Sequence, residues 1–158
     1  TVPRTQVVAL RFQSDRLVWL SELTPTVEQV PAFDRVWPWT VDHTALGPGF
    51  VLDGRTFERG IGLVPRTTLT FDLGGRFDRF EAVLGIDDRS GPDAHAVVRV
   101  VVDGRIVHEA AAMTRDAAAE ALRIDVAGAR SLVLEADFGK NYDLGDHCVF
   151  ADARLLQR

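Results

Sequence analysis

The sequence predicts an all-β protein, an antiparallel sandwich or barrel, and three observations carry that expectation. Apolar residues recur at every second position in at least six separate runs. Turn signals built on Gly, Asp and Pro interrupt these runs at short intervals. The strand–helix–strand alternation of nucleotide-binding folds does not occur. A chain of 158 residues, 46% apolar and 26% charged, is the size of one domain and is predicted to be one across 1–158. At that length it can bury a core without the help of a metal or a disulfide.

Taken in order, Val7–Phe12 is a weak strand candidate, and Trp19, beside Leu17, Val18 and Leu20, is expected in the core. Pro31, Pro38, Pro48 and Pro65 crowd residues 30–65, which should be rich in loops, with one weak strand at Phe50–Leu52. Leu69, Phe71 and Leu73 then share a face before Gly74-Gly75. Phe80, Ala82, Leu84 and Ile86 share the next face, and Val98, Val100 and Val102 the one after. Asp103-Gly104 is a two-residue hairpin signal, and the chain resumes with Ile106-Val107-His108. Arg115–Leu122 is Ala-rich but too short for a stable isolated helix, so it reads as a connecting turn or one helical excursion. A weak strand candidate at Leu122–Val126 precedes Leu132, Leu134 and Ala136, which alternate with Val133, Glu135 and Asp137. Last, Val149, Ala151, Ala153 and Leu155 are expected to oppose Phe150, Asp152 and Arg154.

Composition excludes several classes. The net charge of −5 argues against a general nucleic-acid binder, although it leaves room for a local basic patch. No apolar run approaches the length of a membrane span. All but one of the 18 basic side chains are arginine, Lys140 being the exception. Codon bias explains that ratio most simply; an arginine-based recognition surface is the other reading. A single cysteine, Cys148, rules out an internal disulfide framework and reads as a buried structural thiol. If both residues lie on a strand, His147 points away from Cys148 and cannot serve as its base. No nucleophile elbow, phosphate loop or His-Glu-x-x-His motif occurs. No leader precedes Thr1, so the chain is expected to be a mature or trimmed fragment.

Two features remain as functional leads. Asp87-Asp88-Arg89-Ser90-Gly91-Pro92-Asp93 gathers three carboxylates where a strand ends, and Asp143, Asp146 and Asp152 form a second acidic zone. Hard cations such as calcium take several oxygens from irregular loops, while Asp is also a common turn residue in its own right. Trp37-Pro38-Trp39 places two indoles two residues apart in a Pro-rich segment, and Tyr142 follows Gly139-Lys140-Asn141. An indole face can stack on a sugar while neighbouring polar groups bond its hydroxyls; alternatively, both indoles plug the end of the sandwich.

The order of motifs resembles the NPCBM family of carbohydrate-binding modules over about residues 17–156. Val18-Trp19-Leu20-Ser21-Glu22-Leu23 is similar to the family's entry, followed by Phe57-Glu58-Arg59-Gly60-Ile61-Gly62 and Leu69-Thr70-Phe71-Asp72-Leu73-Gly74-Gly75. Phe77-Asp78-Arg79-Phe80-Glu81-Ala82 leads into Gly85-Ile86-Asp87-Asp88, and Val102-Asp103-Gly104 matches the hairpin. Val126-Ala127-Gly128-Ala129-Arg130-Ser131-Leu132-Val133-Leu134 and Asp146-His147-Cys148-Val149-Phe150-Ala151-Asp152-Ala153-Arg154-Leu155 complete the series. The chain departs from the family where Leu63-Val64-Pro65 follows Gly62 in place of x-His-Ala, and where Phe150 replaces a frequent Trp.

The resemblance implies a galactose-binding-like, jelly-roll β-sandwich that is not an enzyme. It implies a module that holds glycan at loops on one edge, often with structural calcium. It also implies an attached glycoside hydrolase or surface protein, and an extracellular, periplasmic or cell-surface location. The expected sugar contacts are Trp37, Trp39, His43, Arg89, Lys140 and Tyr142, and the expected calcium ligands are Asp87, Asp88, Asp146 and Asp152. The altered Gly62–Pro65 loop motivates the other reading, a structural or protein-interaction sandwich that has lost its sugar site. A glycosidase using loop carboxylates such as Asp87 or Asp146 is a third.

Overall fold

The alternation in the sequence becomes two antiparallel sheets packed against each other. The structure, a computed structural model, describes residues 16–31, 34–140 and 145–157. Val7–Phe12 lies outside the described residues. In chain order the strands are β1 (Leu17–Trp19), β2 (Thr26–Gln29), β3 (Thr40–Val41), β4 (His43–Thr44), β5 (Gly47–Pro48), β6 (Phe50–Leu52), β7 (Arg55–Phe57) and β8 (Gly60–Leu63). There follow β9 (Thr67–Asp72), β10 (Arg79–Ile86), β11 (His95–Val102), β12 (Arg105–Thr114), β13 (Glu120–Asp125), β14 (Ser131–Phe138) and β15 (Cys148–Leu156). One sheet runs β13-β10-β15-β8-β3 with β1 also paired to β15; the other runs β12-β11-β14-β9-β2.

The core lies between the sheets. Leu69 and Phe71 of β9, Val98 and Val100 of β11 and Leu132 and Leu134 of β14 meet Phe80 and Leu84 of β10 and Phe150 and Leu155 of β15. Each fully buried side chain of this size contributes about 1.5–3 kcal/mol relative to exposure. The Asp103-Gly104 hairpin forms as its sequence predicts. Val102 pairs directly with Arg105, and both turn residues take positive φ, 48° and 78°, which Asp tolerates and Gly favours.

Arg115–Leu122 opens as the connecting turn its sequence predicts, with one turn bond from the Ala117 amide to the Thr114 carbonyl before β13. Two local expectations change. Trp19 is only half-buried, with the Arg59 guanidinium 5.1 Å above its ring. The second concerns β15, which does not alternate evenly along its length. Glu81 pairs with Arg154 and Val83 with Ala151, so Ala82 alone faces Asp152 and Ala153. This β-bulge, with Asp152 at φ 49°, shifts the strand by one residue. Cys148 and Phe150 therefore share the inner core with Ala153 and Leu155. Val149 and Ala151 face outward instead, into a second cluster with Phe50, Leu52 and Phe57 of the β6–β7 hairpin.

Several of the described arginines are paired within the fold. Arg79, Arg123 and Arg154 surround the buried Glu81, Arg99 bridges Glu109 and Glu135, and Arg59 pairs with Glu22. These pairings weigh against an arginine-based recognition surface.

Candidate functional site

A cavity of about 160 Å³ opens at one end of the sandwich, between residues 37–45, the end of β8 and the start of β15. Residues 36–39 belong to no strand, so Trp37 and Trp39 escape the rule that positions two apart share a face. Trp37 stays 46% exposed on the cavity wall, whereas Trp39 turns in and packs on the core. Gln29 of β2 fixes Trp37: its side-chain amide donates to the Trp37 carbonyl at 2.7 Å and to Thr67 Oγ1 at 3.0 Å.

His43, at the start of β4, lines the same cavity. Its Nδ1 lies 2.8 Å from the Val41 carbonyl, a pure acceptor, so Nδ1 carries the hydrogen. Nε2 is then the ring nitrogen left for another partner. Thr40 Oγ1 donates to the His43 carbonyl and closes the turn. That bond requires a glycine opposite: a Cβ on Gly62 would collide with Thr40 Oγ1 and crowd the His43 carbonyl oxygen.

The rest of the lining is mostly apolar. Leu63, Val64 and Cys148 are buried in it, and Pro38 and Ala45 complete it nearer the surface. Burial pushes the Cys148 thiol well above its ordinary range, and nearby Asp146 adds to this, so the sulfur is inert as a nucleophile. His147 also lines the cavity. It precedes β15 rather than belonging to it, so the opposite-face expectation for His147 and Cys148 does not apply. Burial lowers the proton affinity of His147; Asp87 opposes this and Arg89 reinforces it, leaving the imidazole below its usual range.

Arg89 holds this wall in place. Its Nε and Nη2 donate to the two carboxylate oxygens of Asp87, each at 2.8 Å, in a bidentate pair whose aspartate is fully buried. The same guanidinium donates to the carbonyls of Gly49 at 3.1 Å and Pro48 at 3.3 Å, and to Thr44 Oγ1 at 3.4 Å. Asp87 accepts a further bond from the Val51 amide at 3.1 Å. Burial alone would raise the Asp87 carboxyl, but Arg89 and these amides hold it below the ordinary carboxylate range.

The expected site residues therefore divide. Trp37 and His43 come together on the cavity. Arg89 sits behind it with its donors committed to the fold, and Trp39 packs on the core. Lys140 stands apart, its amide donating to His95 Nδ1 at 3.2 Å, and Tyr142 lies outside the described residues. The four aspartates do not form one ligand set. Asp87 is bound to Arg89, and Asp88 accepts the Asp53 and Gly54 amides of the β6–β7 turn at 3.2 and 2.8 Å. Asp146 accepts the His95 amide at 2.7 Å, and Asp152 lies at the bulge near the charges of Arg154 and Arg55. Among the described residues no three His, Cys, Asp or Glu side chains are grouped to hold a metal. His147, Leu63 and Val64 are additions that the sequence reading did not assign to the site. The available signal was positional, since His147 and the Gly62–Pro65 loop both fall in family motifs.

An antiparallel sandwich with an aromatic-walled, mostly apolar cavity at one end defines a small-ligand-binding module. The chain belongs to the NPCBM/NEW2 domain family, whose model matches residues 16–156. Its fold is shared with carbohydrate-binding modules. The CBM51 module of Clostridium perfringens GH95, solved in complex with methyl-galactose, has 26% identity and a TM-score of 0.78, covering 88% of this chain and 99% of that one. CBM51-2 of Clostridium perfringens ZmpB, solved with GlcNAc and with INT domains, has 25% identity and a TM-score of 0.77, covering 90% of this chain and 32% of that one. A Renibacterium salmoninarum protein named "Putative endo-alpha-N-acetylgalactosaminidase" is 30% identical over 89 residues, 56% of this chain. The matched stretch is 6% of that protein's length.

Proposed function

We propose that this chain is a non-catalytic carbohydrate-binding module whose sugar site is the cavity beside Trp37. It recognises galactose-type or related glycans and holds an attached glycoside hydrolase, or a surface protein, against them outside the cell. One observation carries the reading: a half-exposed indole fixed through its backbone beside a preformed apolar cavity, with the His43 ring on the same cavity. That arrangement supplies a stacking face and an oriented polar atom, which are the two things a pyranose ring needs. Family membership supports it, as do sandwich neighbours solved with methyl-galactose and with GlcNAc. The ZmpB module sharing its chain with other domains supports a role beside a larger partner.

Isothermal titration against galactose, N-acetylgalactosamine and a glycan array tests the reading. Binding is expected in the unmodified chain, and Trp37→Ala should weaken it at least about tenfold, which corresponds to ~1.4 kcal/mol. A folded protein that binds none of these glycans overturns the proposal in favour of a sandwich that has lost its sugar site.

A further inference from the structure

We infer that the apolar rim of this cavity receives the hydrocarbon to which a sugar is joined, so that the chain prefers an alkyl glycoside, the chemistry of a glycolipid, to a free sugar. The inference rests on the sugar-binding reading above and extends it outward from the cavity. Seven large apolar side chains are exposed among the described residues, and four lie on or directly beside the segments that form the mouth. Trp37 is on the cavity wall, and exposed Val36 precedes it in the chain. Leu46, also exposed, follows the lining residue Ala45 in the turn between β4 and β5. Val30 is exposed next to Gln29, whose amide holds the Trp37 carbonyl.

Inside the cavity the chemistry differs. Thr40, His43, buried Thr44 and His147 place polar groups on its lining. Thr44 Oγ1 already accepts from the Leu46 amide at 3.1 Å and from Arg89 Nη2 at 3.4 Å, so its own hydrogen is the part left for a ligand oxygen. His43 keeps Nε2 for another partner. Sugar hydroxyls therefore find partners within, whereas the side chains of Val36 and Leu46 offer none outside. The cavity, at about 160 Å³, is smaller than the ~300 Å³ at which sites for drug-sized ligands begin, so what continues from a bound ring must pass over the rim. Hydrocarbon laid there removes apolar surface from water, which a further hydroxylated ring would do less well. Exposed Asp34 and Arg35 stand just before Val36, so the apolar strip is short and suits a few methylenes.

Titration of the methyl and hexyl glycosides of galactose and of N-acetylgalactosamine tests the inference. The hexyl member of a bound pair should bind about tenfold more tightly, the gain expected from burying about two methylene groups. Val36→Ser and Leu46→Ser change exposed side chains, so the fold should persist. Together they should cut the hexyl advantage to about threefold or less and leave methyl glycoside binding unchanged. Equal binding of methyl and hexyl glycosides overturns the inference while leaving the sugar-binding reading intact. A hexyl advantage that survives both substitutions in a folded protein also overturns it, because the hydrocarbon then lies elsewhere. Tighter binding of a galactosylated threonine tripeptide than of the hexyl glycoside overturns it in favour of a glycopeptide. If none of these ligands binds, both readings fail.

Discussion

The Asp87 loop and the Trp37 wall lie on two sides of the same β4–β5 hairpin, yet they use their side chains in opposite ways. Behind the hairpin, Asp87 and Arg89 are joined at two points and the guanidinium also takes the Pro48 and Gly49 carbonyls. In front of it, Trp37 keeps nearly half its surface exposed and His43 retains an uncommitted ring nitrogen. The charged cluster that looks most like a ligand site in the sequence is thus the part that builds the fold. The groups left to meet a ligand are mainly apolar.

Breaking the rear side should have the largest effect. Asp87→Ala leaves Arg89 without its carboxylate and frees the hairpin from the Asp87 loop. A loss of about 3 kcal/mol is expected in urea denaturation, in line with removing one partner of a buried pair. Glycan affinity should fall with it, because Thr44 and Ala45 belong to both the hairpin and the cavity.

The two indoles give the next contrast. Trp39→Ala should cost about 2 kcal/mol because its half-buried ring packs on the core. Trp37→Ala should stay within about 0.5 kcal/mol in stability and show its effect in binding. If Trp39→Ala abolished binding at unchanged stability, the division between the two would be wrong.

Acid should destabilise the fold in stages, on both sides of the hairpin and in the sheet. Unfolding raises the His147 affinity for protons back to its ordinary 6.5, so the unfolded state binds more protons and stability falls as pH drops below that value. Asp87 and Glu81 are held below their ordinary 3.8 and 4.5 by arginine partners that outweigh the upward push of burial. Their contribution is complete above those values and is lost as pH falls through their lower folded values. Melting curves from pH 7 to pH 3 should therefore decline in two stages, and His147→Gln should flatten the first.

The smallest expected effect concerns calcium. Because Asp88 and Asp152 serve a turn and a bulge, Asp88→Asn and Asp152→Asn should leave the melting temperature equally responsive to calcium and chelator as in the unmodified chain. A calcium response lost in either variant would restore the grouping expected from sequence.

Much of the sandwich was legible, because each of Leu69, Phe80, Val98 and Leu132 opens a period-two run that one buried face explains. The site was less so. Arg89 reads as a free cation until the chain folds, since the Pro48 and Gly49 carbonyls it binds are 41 and 40 residues away. Trp37 and Trp39 read as a pair because they stand two residues apart in one Pro-rich segment, and only the fold turns one in and leaves the other out. Val64 reads in sequence as part of an altered loop, and only the tertiary arrangement places it against the cavity. The split in β15 escaped for a related reason: a single aspartate at positive φ leaves the hydrophobic count unchanged while reversing its parity.

That reversal makes Asp152 a phase marker for the molecule. Ala153 and Leu155 anchor the far half of β15 in the inter-sheet core, and Cys148 reaches the cavity only because the half-step at Asp152 sets its phase against them. Deleting that one residue would remove no contact of the cavity directly. It would instead turn Val149 and Ala151 inward and Cys148 and Phe150 outward, exchanging the contents of two cores. The pocket's floor is thus written four residues downstream of itself, in a frame that tolerates substitution far better than it tolerates a change in length.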